Sequence, residues 1–241
     1  MKQKYRTIIL SDIHLWDPAN MSDRLIDFLK KIEVENIILN WDIIDLRELS
    51  AIGEWTEKET NFINYLIKLS ESGINISYIN WNHDKFIKNF ANIYIPGIKI
   101  KSDMYYTSWN NKKYYICHWD RFDFVNTHLI FVWRAANFVY SLVYVLEVFI
   151  KKIFKIKTTF SLSQSIKILQ KKLSFPQKKI TEFMKNMKAD WLILGHYHLP
   201  SQTYYSNKEY INSWDWLYHC TAIVETKDGK LKLINPVSRA K

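Results

Sequence analysis

Arg6-Thr7-Ile8-Ile9-Leu10-Ser11-Asp12-Ile13-His14 is an apolar run that turns polar at once. Residues 6–10 are rich in β-branched and aliphatic side chains and read as a buried strand. Asp12 and His14 then stand on the loop beyond its C-terminal end, which is where α/β sheets carry their sites. Seven similar runs follow, at 36–39, 74–79, 114–117, 191–194, 210–212, 221–225 and 231–234. Amphipathic segments separate them. Ser22 can cap a helix whose apolar stripe is Leu25, Ile26, Leu29 and Ile32, and Thr56 with Glu59 forms a capping box for a second helix that Gly73 ends. Alternation of this kind predicts an α/β protein. Between about 124 and 185 the rhythm breaks into a helical, strand-free, basic and aromatic stretch, which reads as a helical cap inserted into a single domain spanning 1–241. Strands then resume, and Lys227-Asp228-Gly229-Lys230 has hairpin spacing.

The 241 residues suffice to bury a core without disulfides or a structural metal. Two cysteines, Cys117 and Cys220, are too few for a disulfide framework and are expected as buried, reduced thiols. The apolar run at 7–10 is too short for a signal-peptide core. The closest approach to a spanning segment, 135–146, is twelve uncharged residues that include Asn137 and Ser141. That falls short of the roughly 18 apolar residues that a bilayer helix needs. A cytoplasmic protein is therefore expected. The formal charge of +10 is concentrated: residues 121–180 hold eleven Lys/Arg against Asp123 and Glu147, for +9. This excess lies beside the most apolar run of the chain, which suits a phosphate-bearing small molecule or lipid substrate and a peripheral contact with the inner face of a membrane. A solvated basic helical face is the plainer alternative. The aromatic residues there follow a helical apolar pattern rather than a stacking platform, so nucleic acid is not the expected partner.

Five short clusters stand where strands end: Asp12-Ile13-His14, Asp42-Ile43-Ile44-Asp45, Asn82-His83-Asp84, His118-Trp119-Asp120 and His196-Tyr197-His198. Each alone is weak, but their repetition behind successive strands points to metal chemistry. Carboxylate and amide oxygens suit hard cations and imidazole suits transition metals, so the mixture favours manganese, iron or zinc over calcium. A carboxylate can bridge two such ions about 3.5 to 4 Å apart, where a shared water is acidic enough to attack as hydroxide near neutral pH. No residue pattern suggests a covalent nucleophile.

In this order the motifs resemble the calcineurin-like metallophosphoesterase superfamily. Residues 11–15, 117–123, 211–216 and 220–222 look like the branch containing UDP-2,3-diacylglucosamine diphosphatase and its paralogues. The resemblance implies a four-layer α/β/β/α sandwich of two mixed sheets, with two divalent ions, manganese first, at the strand ends. It implies one metal on Asp12, His14, Asp42 and His198 and a second on Asp42, Asn82, His118 and His196, with Asp42 as the bridge. His83 would contact the scissile phosphate as general acid, while Asp45, Asp84 and Asp120 would orient the ligands. On the substrate reading of the basic, apolar stretch, Arg121 and Arg134 would lie near a diphosphate or the membrane surface. The implied reaction is hydrolysis of a UDP-linked diacylated sugar diphosphate to UMP and an acyl-sugar phosphate. The Asn-His-Asp form at 82–84 is shared with general phosphoesterases, which keeps a broader phosphodiesterase or phosphomonoesterase open.

Four positions that are glycine in that superfamily are tryptophan here: Trp41, Trp81, Trp119 and Trp214, with Trp16, Trp109 and Trp191 similar in appearance. Glycine serves such turns because it accepts positive φ and close backbone approach, whereas an indole would strain the turn and fill the space that the metals need. The chain has five glycines, where about 7% usage would give roughly 17. It has ten tryptophans. This is the pattern expected if the gene uses UGA for glycine and is read with UGA as tryptophan, whereas Trp216 is expected to be a genuine aromatic. The alternative is a tryptophan-filled, non-catalytic protein that keeps the fold as an interaction surface.

Overall fold

The computed structural model describes residues 2–15, 17, 20–44, 55–79, 97–117, 142–144, 146, 177–195, 201–205, 207–213, 216 and 219–236. Among these the chain forms β1 (Gln3–Leu10), α1 (Ser22–Lys30), β2 (Ile32–Asn40), α2 (Glu57–Glu71), β3 (Asn75–Ile79), β4 (Ile98–Lys101), β5 (Met104–Thr107) and β6 (Lys113–Ile116). There follow α3 (Gln177–Asn186), β7 (Trp191–Leu194), β8 (Ser201–Tyr205), β9 (Lys208–Asn212), β10 (Ala222–Glu225) and β11 (Leu231–Ile234).

Two mixed sheets result. The first has the order β11-β10-β1-β2-β3-β4, with β1 to β4 parallel and β10 antiparallel to β1. The second runs β5-β6-β7-β9-β8, parallel across β6, β7 and β9 and antiparallel at both edges. Side chains alternate between faces along a strand, so the apolar runs feed two cores at once. On one face of the first sheet, Ile8, Leu10, Ile37, Leu39 and Ile76 cluster with Leu25, Phe28 and Leu29 of α1 and Phe62 and Leu66 of α2. Their neighbours Ile9, Ile38, Ile79 and Ile223 turn the other way and meet Tyr114, Ile116, Ile193 and Ile211 of the second sheet. The outer face of that sheet, Tyr115, Leu192, Leu194 and Tyr210, is covered by Ile180 and Met184 of α3. The layers are thus helix, sheet, sheet, helix, as the resemblance implies. Polar groups also tie the sheets together: fully buried Glu225 accepts from the Tyr106 hydroxyl and from Trp109 N at 2.6 Å. Burial, first, and the Glu225 contact push the Tyr106 phenol far up.

All eight runs read as strands from the sequence are strands, β2 beginning four residues earlier than its apolar part. The edge strands β4, β5 and β8 are additional to those runs. They are short, and the Ile-Lys-Ile-Lys of β4 and the Ser-Gln-Thr-Tyr-Tyr of β8 carry too much polar character to announce a buried run. At α1, Ser22 is not the cap. It is the first helical residue, Met21 holds the cap position with no side-chain bond, and Asn20 Oδ1 accepts from Ser22 N at 3.2 Å. Ile32 begins β2 rather than ending the helical stripe. The stretch read as a cap insertion contributes α3 at its C-terminal end. Of the rest, 142–144 and 146 are helical, with Leu142, Tyr144 and Leu146 exposed, and the remainder lies outside the described residues. Among the described residues no helix is long and apolar enough to cross a membrane. Both cysteines are buried and neither is in a disulfide, and the 227–230 turn joins β10 to β11 with Gly229 at φ +75°.

The capping box at α2 forms as read: Glu59 Oε2 accepts from Thr56 N at 2.8 Å and from Thr56 Oγ1 at 2.5 Å. Glu59 is buried and also accepts from Asn20 Nδ2 at 2.8 Å. Burial alone would raise its pKa, but the bonds from Thr56 and Asn20 together outweigh it and hold the carboxyl below its ordinary value. A folded-state pKa below the unfolded one means stability that is present above the unfolded value and lost as pH falls through the folded one. Thermal melts between roughly pH 5 and pH 3 are therefore expected to fall less steeply in Glu59→Gln than in the unaltered protein. Thr56→Ala is expected to cost about 1 kcal/mol in denaturant unfolding at neutral pH.

Candidate metal centre

The register of the first sheet brings two ligand loops to one level. Leu10 pairs with Leu39, and the pairing continues past the strands, with Asp12 N donating to Trp41 O at 3.1 Å, His14 N to Asp42 O at 2.8 Å and Leu15 N to Ile43 O at 2.9 Å. Trp216 N donates to Asp12 O at 3.1 Å from the other side. Asp12, His14, Trp41 and Asp42 all lie in the left-handed region, with φ of 51°, 49°, 59° and 45°. At Trp41 this conformation costs roughly 1 to 2 kcal/mol, and less at Asp12, His14 and Asp42, whose residue types are enriched there; such strain persists where surrounding structure over-determines it, as at binding sites.

The consequence is convergence. One ligand atom from each of Asp12, His14 and Asp42 lies within 4.8 Å of the others, with Asp12 and His14 buried and Asp42 half-buried. His14 Nε2 is 3.8 Å from Asp12 Oδ1. Two carboxylates drawn out of water this close repel each other and lose hydration, and a divalent cation between them offsets both costs. Two oxygens and an imidazole nitrogen are a donor set for a first-row transition ion. The second sheet closes on the same place: a Cβ at Gly195, which follows β7, would stand 3.2 Å from Asp12 Oδ2 and 3.3 Å from Trp41 Cε3.

The other residues singled out from the sequence, Asp45, Asn82, His83, Asp84, His118, Asp120, Arg121, Arg134, His196 and His198, lie outside the described residues. So do Trp16, Trp81, Trp119 and Trp214. Trp41 does occupy a left-handed turn, but its indole is fully buried in the cluster between the sheets, and the three ligands still converge beside it. Trp109 and Trp191 differ. Neither has positive φ; Trp109 is 65% exposed under the Arg6 guanidinium, 5.4 Å from its ring, and Trp191 opens β7 against Tyr114 at 5.0 Å. Trp216 is a core aromatic stacked 5.9 Å from Phe28.

Sequence reasoning did not single out Asn40 as a site residue, and it noted Ser11 and Ser213 only within longer motifs. All three are buried at the level of the ligand loops. A polar residue closing an apolar strand, as Asn40 closes β2, was the available signal.

No protein-family model and no curated protein matches the chain. Among solved structures it is similar to a novel archaeal phosphodiesterase, at 14% identity over 95% of this chain and 98% of that one, with a TM-score of 0.48. It is also similar to Yfce, a phosphoesterase from E. coli, at 12% identity over 96% and 99%, TM-score 0.48. A third likeness is to Vps29 from Entamoeba histolytica complexed with zinc, at 7% identity over 96% and 99%, TM-score 0.42. At these identities and scores the likeness carries no activity to this chain.

Proposed function

We propose that the chain is a divalent-metal-dependent phosphoesterase, acting on phosphodiesters or phosphomonoesters at the strand ends of its first sheet. The observation that carries this reading is the convergence of Asp12, His14 and Asp42 on loops held in left-handed strain. Asp12 and His14 are fixed through their backbones, so their side chains enter the site with little freedom to lose on binding an ion. Asp42 is half-buried beside them. A divalent cation held there supplies electrostatic stabilisation of charge on phosphoryl oxygens and lowers the pKa of water. His118, His196, His198 and Asn82 complete the two ligand sets in this proposal, and His83 protonates the leaving oxygen. Manganese is the first ion to try, with iron and zinc next. Hydrolysis of a chromogenic phosphodiester with added Mn2+ tests the reading, and turnover that persists in chelator would sink it.

A second, narrower reading is a UDP-linked diacylated sugar diphosphate. Its support is the +9 charge of residues 121–180 beside an apolar run in which Leu142, Tyr144 and Leu146 are exposed. Release of UMP in detergent, with no turnover of small diesters, would favour it over the broader activity.

A further inference from the structure

The two sheets meet beneath the ligand loops through a small polar knot, separate from the Glu225 and Tyr106 contact. Ser213 Oγ accepts from Asn40 Nδ2 at 3.2 Å and lies 2.9 Å from Ser11 Oγ and 3.2 Å from Leu194 O. Ser213 N also donates to Leu194 O at 2.8 Å. Ser11, Asn40 and Ser213 are each fully buried. They come from different strand ends: Ser11 follows β1 and Asn40 closes β2 in the first sheet, while Leu194 closes β7 and Ser213 follows β9 in the second.

Buried polar groups of this kind add little net stability over well-packed apolar ones. What such a network does supply is a fixed relative position for the elements that it joins. Here those elements carry the site. Ser11 is the residue before Asp12, Asn40 is two before Asp42, and Leu194 precedes Gly195, whose Cβ position is 3.2 Å from Asp12 Oδ2 and 3.6 Å from Asn40 O. Resting on the metal-site reading above, we propose that Ser213, with Ser11 and Asn40, is a positioning bridge that sets the spacing between the Asp12 and Asp42 loops of one sheet and the end of β7 in the other. None of the three belongs to the converging set of Asp12, His14 and Asp42. They act by holding apart, at one fixed distance, the backbones from which ligands project.

The test is Mn2+ binding measured by calorimetry on the full chain after chelator stripping. Ser213→Ala is expected to weaken Mn2+ binding by about ten- to a hundredfold. Ile76→Val, a core change on the helix face of β3 with its own loss of Tm, is expected to leave the affinity unchanged. Ser11→Ala with Ser213→Ala together should lose no more than Ser213→Ala alone, because both remove one network. Mn2+ bound as tightly by Ser213→Ala as by the unaltered protein, or weakened equally by Ile76→Val, overturns the bridge. Should Ser213→Ala fail to fold, Ser11→Ala carries the same two outcomes. Since the readout is binding, a protein that takes Mn2+ and hydrolyses no ester overturns the phosphoesterase reading while the bridge is still decided by the affinities. Protein that takes no Mn2+ either as written or with glycine at 41, 81, 119 and 214 overturns both.

Discussion

Asp42→Asn is expected to abolish tight Mn2+ binding and to lower phosphoester turnover about a thousandfold or more, since metal stabilisation of the transition state is worth several kcal/mol at roughly 1.4 kcal/mol per tenfold. Asparagine is the informative replacement. It keeps the size of the side chain and, like aspartate, tolerates the left-handed φ of 45° at this position, which alanine would not. The metal-free protein should therefore melt no lower than the unaltered chain, because the change removes one of two neighbouring carboxylate charges. Thermal melts with and without Mn2+ check this: the unaltered protein should gain Tm with the ion and Asp42→Asn should not. A Tm gain of equal size in the variant would remove Asp42 from the ligand set.

The second large effect concerns Trp41. Its indole is fully buried between the sheets, and truncating a buried tryptophan costs about 3 to 5 kcal/mol. Its backbone, at φ +59°, carries the left-handed penalty of roughly 1 to 2 kcal/mol. Trp41→Ala loses the indole and keeps the penalty, whereas Trp41→Gly loses both. Both variants are expected to be strongly destabilised, with glycine the more stable by about 1 kcal/mol, against the ordinary preference for alanine over glycine. Denaturant unfolding of the pair measures the difference directly, and alanine equal to or better than glycine would show that this turn does not call for positive φ. The codon reading goes one step further and predicts glycine at 41 in the native protein. Sequencing of native peptides checks it, and tryptophan found at 41 ends it.

Legibility from sequence followed burial. Strand segments inside both cores, such as the Ile8 to Leu10 end of β1 and β7, appear as unbroken apolar runs because each face meets a layer. The edges β4, β5 and β8 satisfy only part of their surface with protein and leave no such mark. The capping box of α2 could be read because its bonds are local, three residues apart, whereas the entry to α1 was misplaced because Asn20 serves it through a link to Glu59 that only the tertiary structure makes. Asp12, His14 and Asp42 stood out by their position beyond strands. The Ser11, Asn40 and Ser213 bridge did not, since its members lie up to 202 residues apart and meet only when the sheets stack.

The most direct test of the metal-centre account is one titration: chelator-stripped protein, a chromogenic phosphodiester, and Mn2+ added back while turnover and binding are followed together. It should be run on the chain as written and on a form with glycine at 41, 81, 119 and 214, so that a site obstructed by indoles is not mistaken for an absent one. The prediction is no turnover without the ion, turnover rising along the binding curve in at least the glycine form, and neither in Asp12→Asn. Turnover in the presence of chelator, or Mn2+ binding and turnover unchanged in Asp12→Asn, would contradict it.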